Sequence, residues 1–275
     1  MGTTEHHGAG DAIAEPLLPS STVEVEPAPP RRNMFAFVCA TLAYMTTILM
    51  GYNLALMSGA ELFMRDHLGL TDEQVEVLSG SMNMFMLASI LAAGWAADSI
   101  GRRGTVVLAN AFLMAGALAM SLGSSFASLM AARFVTSVGV RFVVVVAPVY
   151  AAEIAPASSR RLLSSLVDFF ITAGILLAGL PLRLGWRAMF ALGVPPPLLL
   201  AAGVLAMPES PRWLAMRGRD DDARAVLERT SDDPAEAHDR LEEIRHAVGV
   251  WRELFVRPLP IVRWILANVL VLYSI

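Results

Sequence analysis

The amino-acid sequence predicts an all-α membrane protein. Six apolar stretches, each about 20 residues long and so able to cross a bilayer, are separated by short turns, and the arginines concentrate in alternate turns. The overall balance agrees: 55% of the 275 residues are hydrophobic and 17% charged. A typical soluble domain carries about 25% charged residues, and the mean hydropathy here is +0.55.

Residues 1–33 are rich in Pro, Glu, Ser and Ala, without apolar periodicity, and are expected to form a disordered tail. No basic region and short apolar core mark a signal peptide, and Gly2 lacks the Ser or Thr four positions on that myristoylation requires. After Arg31 and Arg32 the spans begin, near 34–57, 77–97, 104–124, 128–150, 162–181 and 188–207. Arginine placement in short loops orients such spans. Arg31/Arg32, Arg102/Arg103, Arg160/Arg161 and the cluster from Arg212 to Arg219 share one side, against Arg65, Arg183 and Arg187 on the other. The N-terminus is therefore expected in the cytoplasm.

From 208 to 257 the chain turns polar. "DDDARAVLERT" places Ala223, Val226 and Leu227 on one helical face, and "SDDPAEAHDRLEEIRHAV" puts Pro234 in a first turn with Leu241, Ile244 and Val248 as its stripe. "WRELF" reads as a third short helix. These are expected to be amphipathic cytoplasmic helices. The remainder, 258–275, reads as a truncated seventh span, its apolar part too short to cross.

Several function classes are excluded. The net charge of -4 offers no footprint for nucleic acid, and no nucleophile–base pair or phosphate-cradling loop points to an enzyme. The single cysteine, Cys39, allows no internal disulfide, and the five histidines do not form a metal constellation, so neither metal nor cofactor is expected. All 21 basic side chains are arginine, planar forks suited to carboxylate pairing.

Three motifs stand at matching topological positions. "DSIGRRG" (98–104) joins spans two and three, "PVYAAEIAPASSRR" (148–161) joins four and five, and "PESPRW" (208–213) follows six. With "GILLAG" and "RTSDDPAEAHDRL", they resemble the sugar porter family of the major facilitator superfamily, and within it the plant polyol and monosaccharide transporters. The resemblance implies the six-helix N-terminal half of a major facilitator fold, with cytoplasmic helices and a partial seventh span. It also implies transport of a sugar or polyol by alternating access in the plasma or vacuolar membrane. On the cytoplasmic side, Asp98, Arg102, Arg103, Glu153, Arg160, Glu209 and Arg212 are expected to form a charge network that latches the inner gate. Pro208 and Pro211 fix the exit of span six.

A carboxylate inside a span is expensive and usually functional. Asp168 fits that description, and Thr172 shares its face at i+4. The resemblance puts Asp168 at a sugar-facing position. It also sets Arg133, on span four, against an acid on span one that takes up the proton in symport. Here "GYNLALMSGA" carries Asn53 at that place, which can accept a hydrogen bond from Arg133 but cannot titrate near neutrality. Proton coupling is thereby undermined. Arg141 replaces a small residue on the same span and has no evident partner but Asp168; Arg161 stands where the family has Gly. Expected partners are the substrate, lipid, and a second half-transporter or a full-length relative. The alternative reading is a truncated, non-transporting product that associates with such relatives.

Overall fold

A computed structural model of the chain describes residues 33–155, 160–179 and 185–256, apart from the side chains of residues 62, 160, 161, 164 and 251–256. The tail up to residue 32, the run 258–275, Arg183 and the side chains of Arg160 and Arg161 lie outside these.

Every described element is helical. Asn33 caps α1 (Met34–Met45), its side chain accepting from the Phe35 and Ala36 amides. The apolar run then continues into α2 (Ile48–Leu68) after a break at Thr46 and Thr47. Their hydroxyls donate to the carbonyls of Ala43 and Tyr44, both at 2.6 Å. Back-bonding by buried Thr at i−3 disturbs the helical ladder and bends the span. The sequence predicts a single span near 34–57 here. α2 ends at Gly69, whose φ of 62° forms a left-handed C-cap. Across that turn Arg65 donates to Asp72 at 3.0 Å. This hydrogen bond and the charge of Asp72, with lesser help from Asp66, hold the Arg65 guanidinium above the ordinary arginine range.

α3 (Asp72–Ile100) opens with a Thr71/Gln74 capping box and α5 (Phe126–Ile154) with a Ser125/Ser128 box; α4 (Arg102–Leu122) lies between them. These caps extend α3 and α5 beyond their apolar cores, so both outrun the predicted spans. α6 (Arg160–Ala178) follows, then α7 (Trp186–Leu192) and α8 (Pro195–Leu205), which break span six at Gly193 and Val194 before three prolines. Among the described residues, five runs are long and apolar enough to cross a membrane: Met34–Glu61, Asp72–Ile100, Arg102–Leu122, Phe126–Ile154 and Trp186–Leu205. The fifth predicted span appears as a shorter apolar helix, Ser165–Ala178, within α6.

Helix succession gives the bundle two ends. The arginine-rich end holds the α3–α4 turn, the end of α5 and the exit of α8. α5 packs against α1, α3 and α4, while α6 lies on α2, and α7 and α8 lie on α4. Small residues let backbones approach. A Cβ on Gly51 would overlap the Ile171 carbonyl, and one on Gly174 the Ile48 carbonyl, so α2 and α6 touch main chain to main chain. Gly116 and Gly139 do the same for α4 and α5. The outer side of α3 is apolar, with Met84 75% and Leu91 82% exposed. A run of such side chains suits lipid rather than water.

Past α8, α9 (Pro211–Met216), α10 (Asp220–Thr230) and α11 (Pro234–Val256) enclose their own core of Leu214, Ala223, Leu227, Ala237 and Leu241. The predicted stripes supply part of it, Ala223, Val226 and Leu227 from α10 and Leu241 and Ile244 from α11, while Val248 lies outside the cluster and Ala237 joins it. "WRELF" is not a separate helix: α11 runs through it, since no proline interrupts the segment after Val248.

Candidate functional site

At the arginine-rich end, Arg102 is 7% exposed and its Nε and Nη1 are engaged. Nε donates to Glu153 Oε2 at 3.1 Å, and Nη1 to Asp98 Oδ1 and the Ala97 carbonyl, each at 3.1 Å. The Ser210 hydroxyl donates to the same Glu153 oxygen. α4, α5 and the start of α9 thus meet at one carboxylate, and α3 joins them through the Arg102 guanidinium.

Glu209 acts differently. Its Oε1 accepts from the backbone amides of Arg103 (3.0 Å) and Ser210 (2.9 Å). It therefore caps the N-terminus of α4 from a distant segment, where free amides and the helix dipole favour an anion. Gly101, at φ 97°, permits this: a Cβ there would run into the Glu209 carboxylate. The other side of the turn is capped too. Trp213 Nε1 donates to the Asp98 carbonyl at 3.0 Å, and Arg217 Nη2 donates to the carbonyls of Asp98 and Ser99, occupying the last carbonyls of α3. Tyr150 donates to the Pro208 carbonyl at 2.6 Å, and Arg240 on α11 donates to the carbonyls of Glu153 and Ala155.

The structure therefore brings Asp98, Arg102, Glu153 and Glu209 together. Among the described residues the guanidinium groups of Arg103 and Arg212 make no ion pair; Arg212 lines a cavity of about 350 Å³ with Glu153, Arg240 and Glu243. The Arg160 side chain lies outside the described residues. Sequence reasoning missed Ser210, Tyr150, Trp213, Arg217 and Arg240. Only Ser210 carried a local signal, a Ser-Pro pair at a helix start.

The predicted path residues are more scattered. Asp168 and Thr172 are exposed on α6, opposite its buried Leu163, Gly174 and Ala178, and the Thr172 hydroxyl donates to the Asp168 carbonyl at 2.8 Å. Asn53 is 8% exposed, and its amide donates to the Leu49 carbonyl of its own helix at 2.8 Å. Arg133 is 2% exposed, with Nε and Nη1 unpartnered among the described residues. The expected Asn53–Arg133 hydrogen bond is absent, because the Asn53 side chain turns back along α2. Arg141 also differs from expectation: its Nε donates to the Met86 carbonyl on α3 at 3.0 Å, so it does have a partner, and that partner is not Asp168.

The profile of the Sugar (and other) transporter family matches residues 39–275. Polyol transporter 5 of Arabidopsis thaliana is 45% identical over 280 residues, covering 91% of this chain and 51% of that protein. The putative metabolite transport protein YwtG of Bacillus subtilis is 33% identical over 221 residues, covering 76% and 48%. The chain spans about half the length of the curated relatives it matches. Among solved structures, the proton:xylose symporter XylE bound to 6-bromo-6-deoxy-D-glucose aligns with a TM-score of 0.71 at 24% identity, covering 80% of this chain and 54% of that one. A partially occluded inward-open form of XylE from E. coli aligns at 0.72 and 23%, covering 81% and 61%. The helical arrangement is that of the N-terminal half of a major facilitator fold, and this chain, an integral membrane protein, belongs to the sugar transporter family.

Proposed function

We propose that the chain forms the N-terminal half of a carrier for a polyol or sugar, working by alternating access in the plasma membrane with its N-terminus in the cytoplasm. The observation that carries this reading is Asp168 with Thr172, exposed together on one side of the apolar stretch Ser165–Ala178 of α6. A carboxylate there accepts hydrogen bonds from neighbouring hydroxyls, as a polyol presents them. A carrier needs two halves rocking about a midplane site. The second is a covalent continuation, a second copy or a separate chain. Arg102, Glu153 and Glu209 fasten the cytoplasmic helix ends of this half, and Arg103 and Arg212 are free to engage the other.

Proton coupling is not part of the proposal, since Asn53 cannot exchange a proton near neutrality. Reconstituted in proteoliposomes with its complementary half, the protein is expected to move labelled mannitol or xylose down a gradient, with flux flat from pH 5 to 8. Asp168→Ala lowers that flux about tenfold, the scale of one charge-assisted hydrogen bond. Asn53→Asp introduces a pH dependence. Flux no greater than in empty vesicles, with every half supplied, removes the proposal. Reduced uptake by a co-expressed full-length relative would favour the non-transporting reading instead.

A further inference from the structure

Helix α5 carries two arginines within its bilayer-spanning length, and their surroundings differ. Arg141 donates to the Met86 carbonyl. Arg133 is almost wholly buried, yet neither Nε nor Nη1 finds an acceptor. The neighbouring span offers a neutral amide whose nitrogen is already committed to Leu49. Among the described residues no carboxylate pairs with Arg133. Among the described residues, ion pairs join Arg65 to Asp66 and Asp72 at one end of the bundle and Arg102 to Asp98 and Glu153 at the other; others lie within α10 and α11 or tie Arg219 and Arg245 to Asp222 and Asp220. Asp168 is exposed on α6. Away from the helix ends, the spans hold two cations, Arg133 and Arg141, and two acids, Glu61 and Asp168, and among the described residues neither acid is paired with Arg133.

A guanidinium cannot escape this position by losing its proton. A buried charge left unpaired is strongly unfavourable, and a protein retains one where a partner arrives from outside. We propose that Arg133 is an anion-binding residue, and that its ligand is the carboxylate of a sugar acid. Planar, multi-donor guanidinium matches carboxylate geometry better than an ammonium would. A free inorganic anion shares the same chemistry, and the experiment separates the two. The choice of a sugar acid rests on the carrier reading above; anion binding at Arg133 does not.

The test uses the full chain purified into phosphatidylcholine nanodiscs in low-salt buffer. Binding of labelled glucuronate and of mannitol is measured beside the thermal unfolding midpoint. Glucuronate is expected to bind and to raise the midpoint, with Arg133→Gln weakening binding about tenfold or more, as loss of a charged partner does, and Arg141→Gln leaving it unchanged. Retention of glucuronate in excess chloride assigns the site to the sugar acid. Protection by chloride alone, with glucuronate displaced, keeps the anion site but overturns the sugar-acid ligand. Should Arg133→Gln fail to fold, Asn53→Asp serves: its internal carboxylate must abolish the anion response at neutral pH. An anion response identical in both variants and the parent, or none in the parent, overturns the proposal. Glucuronate binding without flux sinks the carrier reading alone; mannitol flux without any anion response sinks this one alone.

Discussion

Arg102 and Glu153 show what burial does to an ion pair. Their side chains are 8% and 10% exposed, so removing one partner strands the other in a dry environment. Breaking such a pair typically costs about 3–5 kcal/mol. Glu153→Ala is therefore expected to lower the thermal midpoint sharply, and Arg102→Ala likewise. The double variant should lose clearly less than the sum of the two, because the shared interaction is counted once. Strict additivity in such a cycle would show that the pair is not coupled. The pairing was legible in the sequence as opposite charges at adjoining helix ends. The role of Glu209 was not. It binds backbone amides, which every residue carries, so no side-chain pattern marks them as its target. The unpaired state of Arg133 was hidden as well. It depends on which way Asn53 turns, and an amide side chain one helical turn past a backbone carbonyl has a local acceptor to choose.

At the level of helices, the bilayer makes spans easy to read and their neighbours hard. Length and apolarity located the runs later seen in α1 through α8. The Thr46–Thr47 break escaped notice because threonine is tolerated in a straight helix and bends it only when its hydroxyl turns to the main chain. The α2–α6 contact was likewise invisible, since 20 glycines populate the chain and only pairing in space selects Gly51 and Gly174. Substitution tests that contact. Gly174→Ala sets a methyl against the Ile48 carbonyl, and overpacking of this kind costs about 1–3 kcal/mol. Gly80, with open space around it in α3, makes the contrast: Gly80→Ala should be neutral or stabilise by up to about 1 kcal/mol. Equal melting of the two variants in nanodiscs would contradict a backbone contact between α2 and α6.

For the molecule as a whole, the arginine bias predicts which end meets the cytoplasm. Cys39 is the one cysteine of the sequence and is buried, so background labelling by a membrane-impermeant maleimide is expected to be low. In intact cells Asp66→Cys should react and Asp221→Cys should not; after permeabilisation both should. The reverse pattern would invert the topology. The helical bundle, its two ends and the amphipathic α10 and α11 were all readable from hydropathy and charge. What lay beyond reach was the docking of α9, whose six residues are too few for a periodic signal.

Both ends of the short α3–α4 turn are stoppered by the stretch from Glu209 to Arg217. A hinge needs main-chain groups free to change partners, and here the Arg103 amide and the Asp98 and Ser99 carbonyls are already taken. Whatever swing this half performs must leave that corner unbent, so the soluble helices travel with the spans like a handle fixed to a door. Loosening the handle, by Glu209→Ala for instance, would let the spans slip against one another before any gate had moved.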